Sequence, residues 1–148
     1  MAAVPTDSAT ETVRLHAPVA RVLETIRDLE SQPEWIPEIL EADVLEVDEQ
    51  TGLPITARFK ASATVGTDTY TLTYRHRGDG MSWSMVEGRM QTGQEGSYQL
   101  EEAGPDTTSV TYQLTIHHNL PLPGFIRSRV IKGLVSSTLN GLRTRVEA

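Results

Sequence analysis

The sequence predicts an α+β fold in which one antiparallel sheet packs a single face against a long C-terminal helix. Three observations carry that expectation. Residues 41–118 repeat a two-residue hydrophobic period; residues 122–147 switch to a four-residue ladder; and the breaks between strands are short. Such breaks join antiparallel neighbours, because a parallel crossover needs about a dozen residues or more. Strands grouped in sequence, with helices toward the ends, read as segregated layers.

Residues 1–9 are small and polar without a period, so they read as a flexible N-terminal tail before a single domain over 10–148. In "ETVRLHA", Val13 and Leu15 alternate with polar neighbours, as in a strand. "PVARVLETIRDL" then places Pro18 at a first-turn position and repeats Val22, Leu23, Ile26 and Leu29 at helical spacing. Pro33 and Pro37 leave room only for a short second helix around Glu34, Trp35 and Ile36. From about Glu41 the turn signals "EQTGLP", "VGTD", "RGDG", "VEGR" and "EAGPD" divide the chain into a meander of six strands. The last segment carries Leu122, Ile126, Val130, Leu134, Leu142 and Val146 on one ladder, with Ile131, Val135 and Leu139 beside it. It reads as one helix beginning near Pro123.

Composition excludes several classes of function. With 148 residues the chain can bury a core of its own, and no stretch approaches the ~20 apolar residues of a membrane span. The opening "MAAVPTDSATETV" has neither the basic nor the apolar part of a secretory signal, so a cytoplasmic protein without integral membrane association is expected. The absence of cysteine removes disulfides, thiolate nucleophiles and thiolate metal sites. The net charge is −7, and the acids crowd into residues 24–49 with Arg27 as the only base there, which argues against a nucleic-acid partner. Arg127, Arg129, Lys132, Arg143 and Arg145 fall in the last helix and read as its solvated face. That basic face and the acidic first helix leave a homodimer open. Arginine is preferred over lysine, a compositional hint of a bacterial source.

Side chains alternate across a strand, so parity assigns faces. Ile55, Ala57, Phe59, Ala61 and Ala63 share one side; Tyr70, Leu72 and Tyr74, then Met81, Trp83 and Met85, then Tyr98 and Leu100, then Val110, Tyr112, Leu114 and Ile116 continue it. Extending the last strand turns His118 inward and His117 to solvent, so the adjacent pair cannot close on one metal ion. His16 and His76 add no ligand spacing, and no metal site is expected. All four tyrosines face inward, and buried phenols need partners for their hydroxyls. Hydroxyls bonded to backbone or reaching the sheet edge explain one such residue; four of them beside His118 suggest an apolar interior dotted with polar groups, as in a ligand pocket. Glu87 continues the inward parity of its strand, or lies in a solvated hairpin. Gly133, Ser137 and Gly141 form a small-residue stripe on the last helix, which fits close backbone packing or space left for a guest.

The opening "VRLHAPVARVLETIRDLESQPEWIPEI", the strands "WSMVEG" and "GSYQLEE", and "TSVTYQLTIHHNLPLPGFIRSRV" leading into a long helix resemble the START-like superfamily. Within it the chain is similar to the polyketide cyclase/dehydrase-like (SRPBCC) group, related to the birch-pollen allergens, over Thr10 to Glu147. The resemblance implies a helix-grip fold, a seven-stranded curved antiparallel sheet around the C-terminal helix, with two short helices between the first two strands. It also implies a cavity between sheet and helix for lipids, polyketides or similar molecules. By that analogy Trp35 and Phe125 would sit near its mouth, and Phe59, Tyr70, Tyr74, Trp83, Met85, Tyr98, Tyr112, His118 and Leu134 would contact the ligand.

The leading expectation is therefore binding of a hydrophobic small molecule. An aromatase/cyclase is the alternative, with His118 as the candidate acid/base and the tyrosines as donors to an enolate oxygen. A protein–protein interaction module is the third. No Gly-rich phosphate loop, Ser-His-Asp arrangement or nucleotide fingerprint is visible, and no cofactor is expected.

Overall fold

A computed structural model describes residues 6–63 and 66–148, the side chain of Ala63 excepted. The element order is β1 (Thr6–Leu15), α1 (Val19–Arg27), a 3₁₀ helix (Leu29–Glu34), β2 (Ile39–Val47), β3 (Pro54–Ala63), β4 (Gly66–Arg77), β5 (Gly80–Gly88), β6 (Gln91–Gly104), β7 (Thr107–His118) and α2 (Gly124–Glu147). The strands form one seven-stranded antiparallel sheet in the order β1-β7-β6-β5-β4-β3-β2. The six-strand meander is thus complete, and β1 joins it beside β7. Of the turn predicted at "VGTD", residue 65 lies outside the described residues and the rest opens β4.

Strand β1 begins at Thr6 rather than near Glu11. The expected tail through residue 9 is corrected for residues 6–9; residues 1–5 lie outside the described residues. The polar run "TDSAT" gives no hydrophobic period, yet it pairs in register with β7 from Thr6 opposite His117 to Thr10 opposite Gln113. Across the wet face, Ser8 bonds Thr115 and Thr12 bonds Thr111, both at 2.8 Å, so hydroxyl pairs hold what apolar contacts do not.

The short second helix lies upstream of its expected place. It spans Leu29–Glu34, contains Pro33, and ends with Trp35 as its cap. Pro37 disfavours helical geometry at Ile36, so the helix keeps Glu34 but closes before Trp35 and Ile36. Both α1 and α2 start on a proline, Pro18 and Pro123, whose carbonyl accepts from the N–H groups three and four residues on. With no side-chain cap, these carbonyls and the preset proline φ define the starts.

Helix α2 packs along β1, β7 and α1. Its apolar arc divides. Ile131, Val135, Leu139, Leu142 and Val146 are buried in the core, whereas Leu134 is half-buried and Val130 exposed. The register is irregular between β2 and β3, between β4 and β5, and between β6 and β7, the kind of irregularity that bends strands. Thr108, wholly buried, donates its hydroxyl to the Ala17 carbonyl at 2.7 Å and ties β7 to the segment entering α1.

Two glycines mark close approaches. A Cβ at Gly96 would lie 2.2 Å from the Trp83 ring, so the bare backbone of β6 is the floor on which the indole rests. A Cβ at Gly141 would lie 1.8 Å from the Trp35 carbonyl oxygen. Gly133, on the same stripe, has nothing within 4 Å. Helix α2 therefore seats closely at Gly141 and stands clear of its neighbours at Gly133. No helix among the described residues is long and apolar enough to cross a membrane.

Candidate ligand cavity

Between the concave face of the sheet and the first half of α2 lies a cavity of about 490 Å³. Phe59, Tyr70, Tyr74, Trp83, Tyr98, Tyr112, His118 and Leu134 line it. Leu72 and Leu114 from the sheet, Ile36 before β2 and Ile39 at its start, and Leu120, Leu122, Val130 and Ile131 around α2 add to its apolar surface. Phe59 stacks on Tyr70 at 5.7 Å, and a second group gathers on Trp83, which is 5.5 Å from Tyr98 and 5.9 Å from Tyr112, the two tyrosines meeting edge-on at 4.7 Å.

Three expected contact residues do not line this space. Trp35 is buried but faces a separate cleft with Pro37 and Gly141, because the 3₁₀ helix ends at Glu34 and turns the indole behind α2. Phe125 is 69% exposed on the first turn of α2 and is not among the residues that line the cavity. Met85 is half-buried, and its sulfur folds over Gly88 where β5 leaves regular pairing. The same irregularity places Leu72 opposite Met85 but Thr71 opposite Glu87, so Val86 is extra and parity flips beyond it. Glu87 is consequently exposed, not an inward acid.

Burial raises the pKa of all four tyrosine hydroxyls above the ordinary phenol value, with neighbouring phenols or carboxylates adding to it. For Tyr70, Gln94 acts in the opposite direction by hydrogen bonding, and for Tyr112, Thr138 does. They are neutral donors at any physiological pH. Tyr74 and Tyr98 line the cavity and form no hydroxyl hydrogen bond among the described residues.

The polar residues of the cavity are mostly ones that parity did not single out. Asp68 on β4 is 3% exposed and accepts from Met90 N–H at 2.8 Å and from Gln91 Nε2 at 3.1 Å. Gln94 accepts from the Trp83 indole at 3.0 Å and donates to Gln91 at 2.8 Å. Both lay within reach of the alternation: Asp68 precedes Tyr70 by two, and Gln94 precedes Tyr98 by four. Glu38, Gln32 and Thr138 also line the space, from segments outside the sheet.

At the end of β7, His118 is buried and forms a clasp with Asp7 and α2. Its Nδ1 accepts from Leu120 N–H at 3.1 Å, so the proton of the neutral ring sits on Nε2 and is donated to Asp7 Oδ2 at 2.5 Å. Arg127 Nε lies 3.5 Å from the other Asp7 oxygen, so Arg127 is not part of a solvated face. Both imidazole nitrogens are committed. The ring has no free lone pair for a proton of a bound substrate, which a general base requires. His117, on the outer face, bonds Thr6 and Glu95, both at 2.9 Å. Among the described residues no three His, Asp or Glu side chains gather as a metal-ligand set.

A curved seven-stranded antiparallel sheet gripping a C-terminal helix defines the START-like, helix-grip class. The chain belongs to the family described as polyketide cyclase/dehydrase and lipid transport, whose pattern matches residues 6–147. It is similar in structure to a START superfamily protein from Mycobacterium smegmatis, with 22% identity, a TM-score of 0.86, and coverage of 95% of this chain and 97% of that one. The Zhui aromatase/cyclase from Streptomyces sp. R1128 is 14% identical, with a TM-score of 0.79 over 97% and 94% of the two chains. TTHA0849 from Thermus thermophilus is 23% identical, with a TM-score of 0.76 over 96% and 97%. At such identities the likeness concerns the fold. No curated protein matches by sequence.

Proposed function

We propose that this protein encloses a largely apolar small molecule, a lipid, a polyketide or a compound of similar character, in the cavity between its sheet and α2. The observation that carries the reading is the cavity itself: about 490 Å³ lined by aromatic and aliphatic side chains, with a few fixed polar groups. Small-molecule sites commonly measure roughly 300–1,000 Å³ and have that composition. A core serving stability alone packs to few voids larger than a water molecule, so space of this size gives up packing energy in the free protein. Catalysis is not the reading favoured, because His118, the best acid/base in the sequence, has both nitrogens engaged.

Native mass spectrometry after exposure of the purified protein to an apolar extract tests this. One small molecule retained per chain is expected. Gly133→Leu, which adds a side chain where the helix stands clear of its neighbours, should fold and retain less. A folded wild-type chain that retains nothing would overturn the reading.

A further inference from the structure

The hydrogen bonds along one wall of the cavity run in one direction. An indole N–H can only donate, so Trp83 fixes Gln94 with Oε1 toward the ring and Nε2 pointing onward. Gln94 Nε2 then donates to Gln91 Oε1, which turns Gln91 Nε2 to Asp68 Oδ2. The second carboxylate oxygen accepts from Met90 N–H. Both oxygens of Asp68 accept and neither donates, the pattern of an ionised carboxylate, and each keeps a further lone pair. A chain of donors aligned this way polarises toward its acceptor end and favours negative charge there.

Asp68 lines the cavity, is 3% exposed, and has no cationic partner among the described residues. A buried carboxylate without a counter-charge is costly, and the open side of this one is the cavity. Among the other charged side chains lining the space, Asp7 and Glu38 are acids, and Arg127 is the one base, turned to Asp7. The interior thus carries an excess of acid, which repels a carboxylate head and attracts a cationic one.

We propose that the cavity takes an amphiphile whose polar end donates hydrogen bonds, above all a primary ammonium, docked on Asp68, and that it discriminates against free carboxylates. This deepens the enclosed-ligand reading and rests on it. The apolar tail lies among the aromatic rings; the head replaces the missing counter-charge.

Decylamine, decanol and decanoate share a chain and differ in the head, so their affinities for the full chain at neutral pH, read by displacement of a neutral fluorescent dye, isolate the head group. One charge-assisted hydrogen bond supports a preference of about tenfold, so decylamine should bind at least that much tighter than decanoate, with decanol between. Asp68→Asn should bring decylamine and decanol to about equal affinity while changing decanol little. Decanoate binding as tightly as decylamine, or an unchanged amine-to-alkanol ratio in Asp68→Asn, overturns the head-group assignment and leaves enclosure standing. The wild-type ranking needs no variant, so it decides alone if Asp68→Asn does not fold. Uptake of none of the three by the folded protein overturns the enclosed-ligand reading, and this one with it.

Discussion

Replacing glycine by alanine at two positions of α2 should move stability in opposite directions. Gly133 and Gly141 are two helical turns apart, and each substitution supplies the same gain in helix propensity, about 1 kcal/mol. At Gly133 nothing lies within 4 Å of the new methyl, so the gain is realised. At Gly141 the methyl would lie 1.8 Å from the Trp35 carbonyl oxygen and 3.0 Å from its carbon. Those are backbone atoms, so no rotamer change relieves the overlap, and the helix must back away from the segment before β2. Overpacking of this kind costs about 1–3 kcal/mol or more. The immovable neighbour places it at the upper end, for a net loss of about 2 kcal/mol. In a chain of this size roughly 2–4 °C of Tm accompanies each kcal/mol, so Gly141→Ala should melt roughly 4–8 °C lower and Gly133→Ala roughly 2–4 °C higher. Urea unfolding at unchanged slope checks that the shifts are changes in stability. A Gly141→Ala protein as stable as wild type would refute the close seating of α2 on Trp35.

Tyrosine ionisation gives a second expectation. All four hydroxyls are held above the ordinary value of 10.0, chiefly by burial, so the folded state keeps protons that the unfolded chain releases. Their contribution to stability is complete below about pH 10 and is lost as pH rises above it. Phenolate absorbance should therefore appear together with the loss of tertiary circular dichroism; a phenolate signal from a still-folded protein would contradict the burial. His118→Ala removes the donor to Asp7 and the acceptor of Leu120 N–H, and should lower urea stability by about 1–3 kcal/mol. Retention of an apolar molecule, followed by native mass spectrometry, should survive that change, because the histidine ties the start of β1 to the end of β7 rather than closing the cavity alone.

Alternation made the sheet legible wherever one face was wet. Phe59, Tyr70, Tyr74, Trp83, Tyr98 and Tyr112 stand on one side by parity, and the structure puts them on one cavity wall. Parity fails where pairing slips by a residue. One extra residue at Val86 returned Glu87 to solvent, and no propensity in "WSMVEG" announces it. The first half of β1 was illegible for another reason: "TDSAT" is held by register and hydroxyl pairs, which leave no hydrophobic period. With it went Asp7, the partner that commits His118. Trp35 and Phe125 were placed by analogy with the family, and the fine geometry of the 3₁₀ helix and the first turn of α2 decides otherwise. Asp68, Gln91 and Gln94 are polar types that usually mark strand surfaces and turns, so residue type hides an inward position that alternation allows for Asp68 and Gln94.

The central claim is that the guest lies between sheet and helix, and the two tryptophans allow it to be tested without a ligand-bound structure. Trp83 lines the cavity and Trp35 lies behind α2, against a separate cleft. Decanol brominated at its terminal carbon quenches an indole that it touches. In Trp35→Phe, where Trp83 is the sole indole, titration should quench fluorescence and saturate at one molecule per chain; in Trp83→Phe the remaining indole should stay bright. Binding that leaves Trp83 unquenched, or that quenches Trp35 instead, would place the molecule elsewhere and contradict the account.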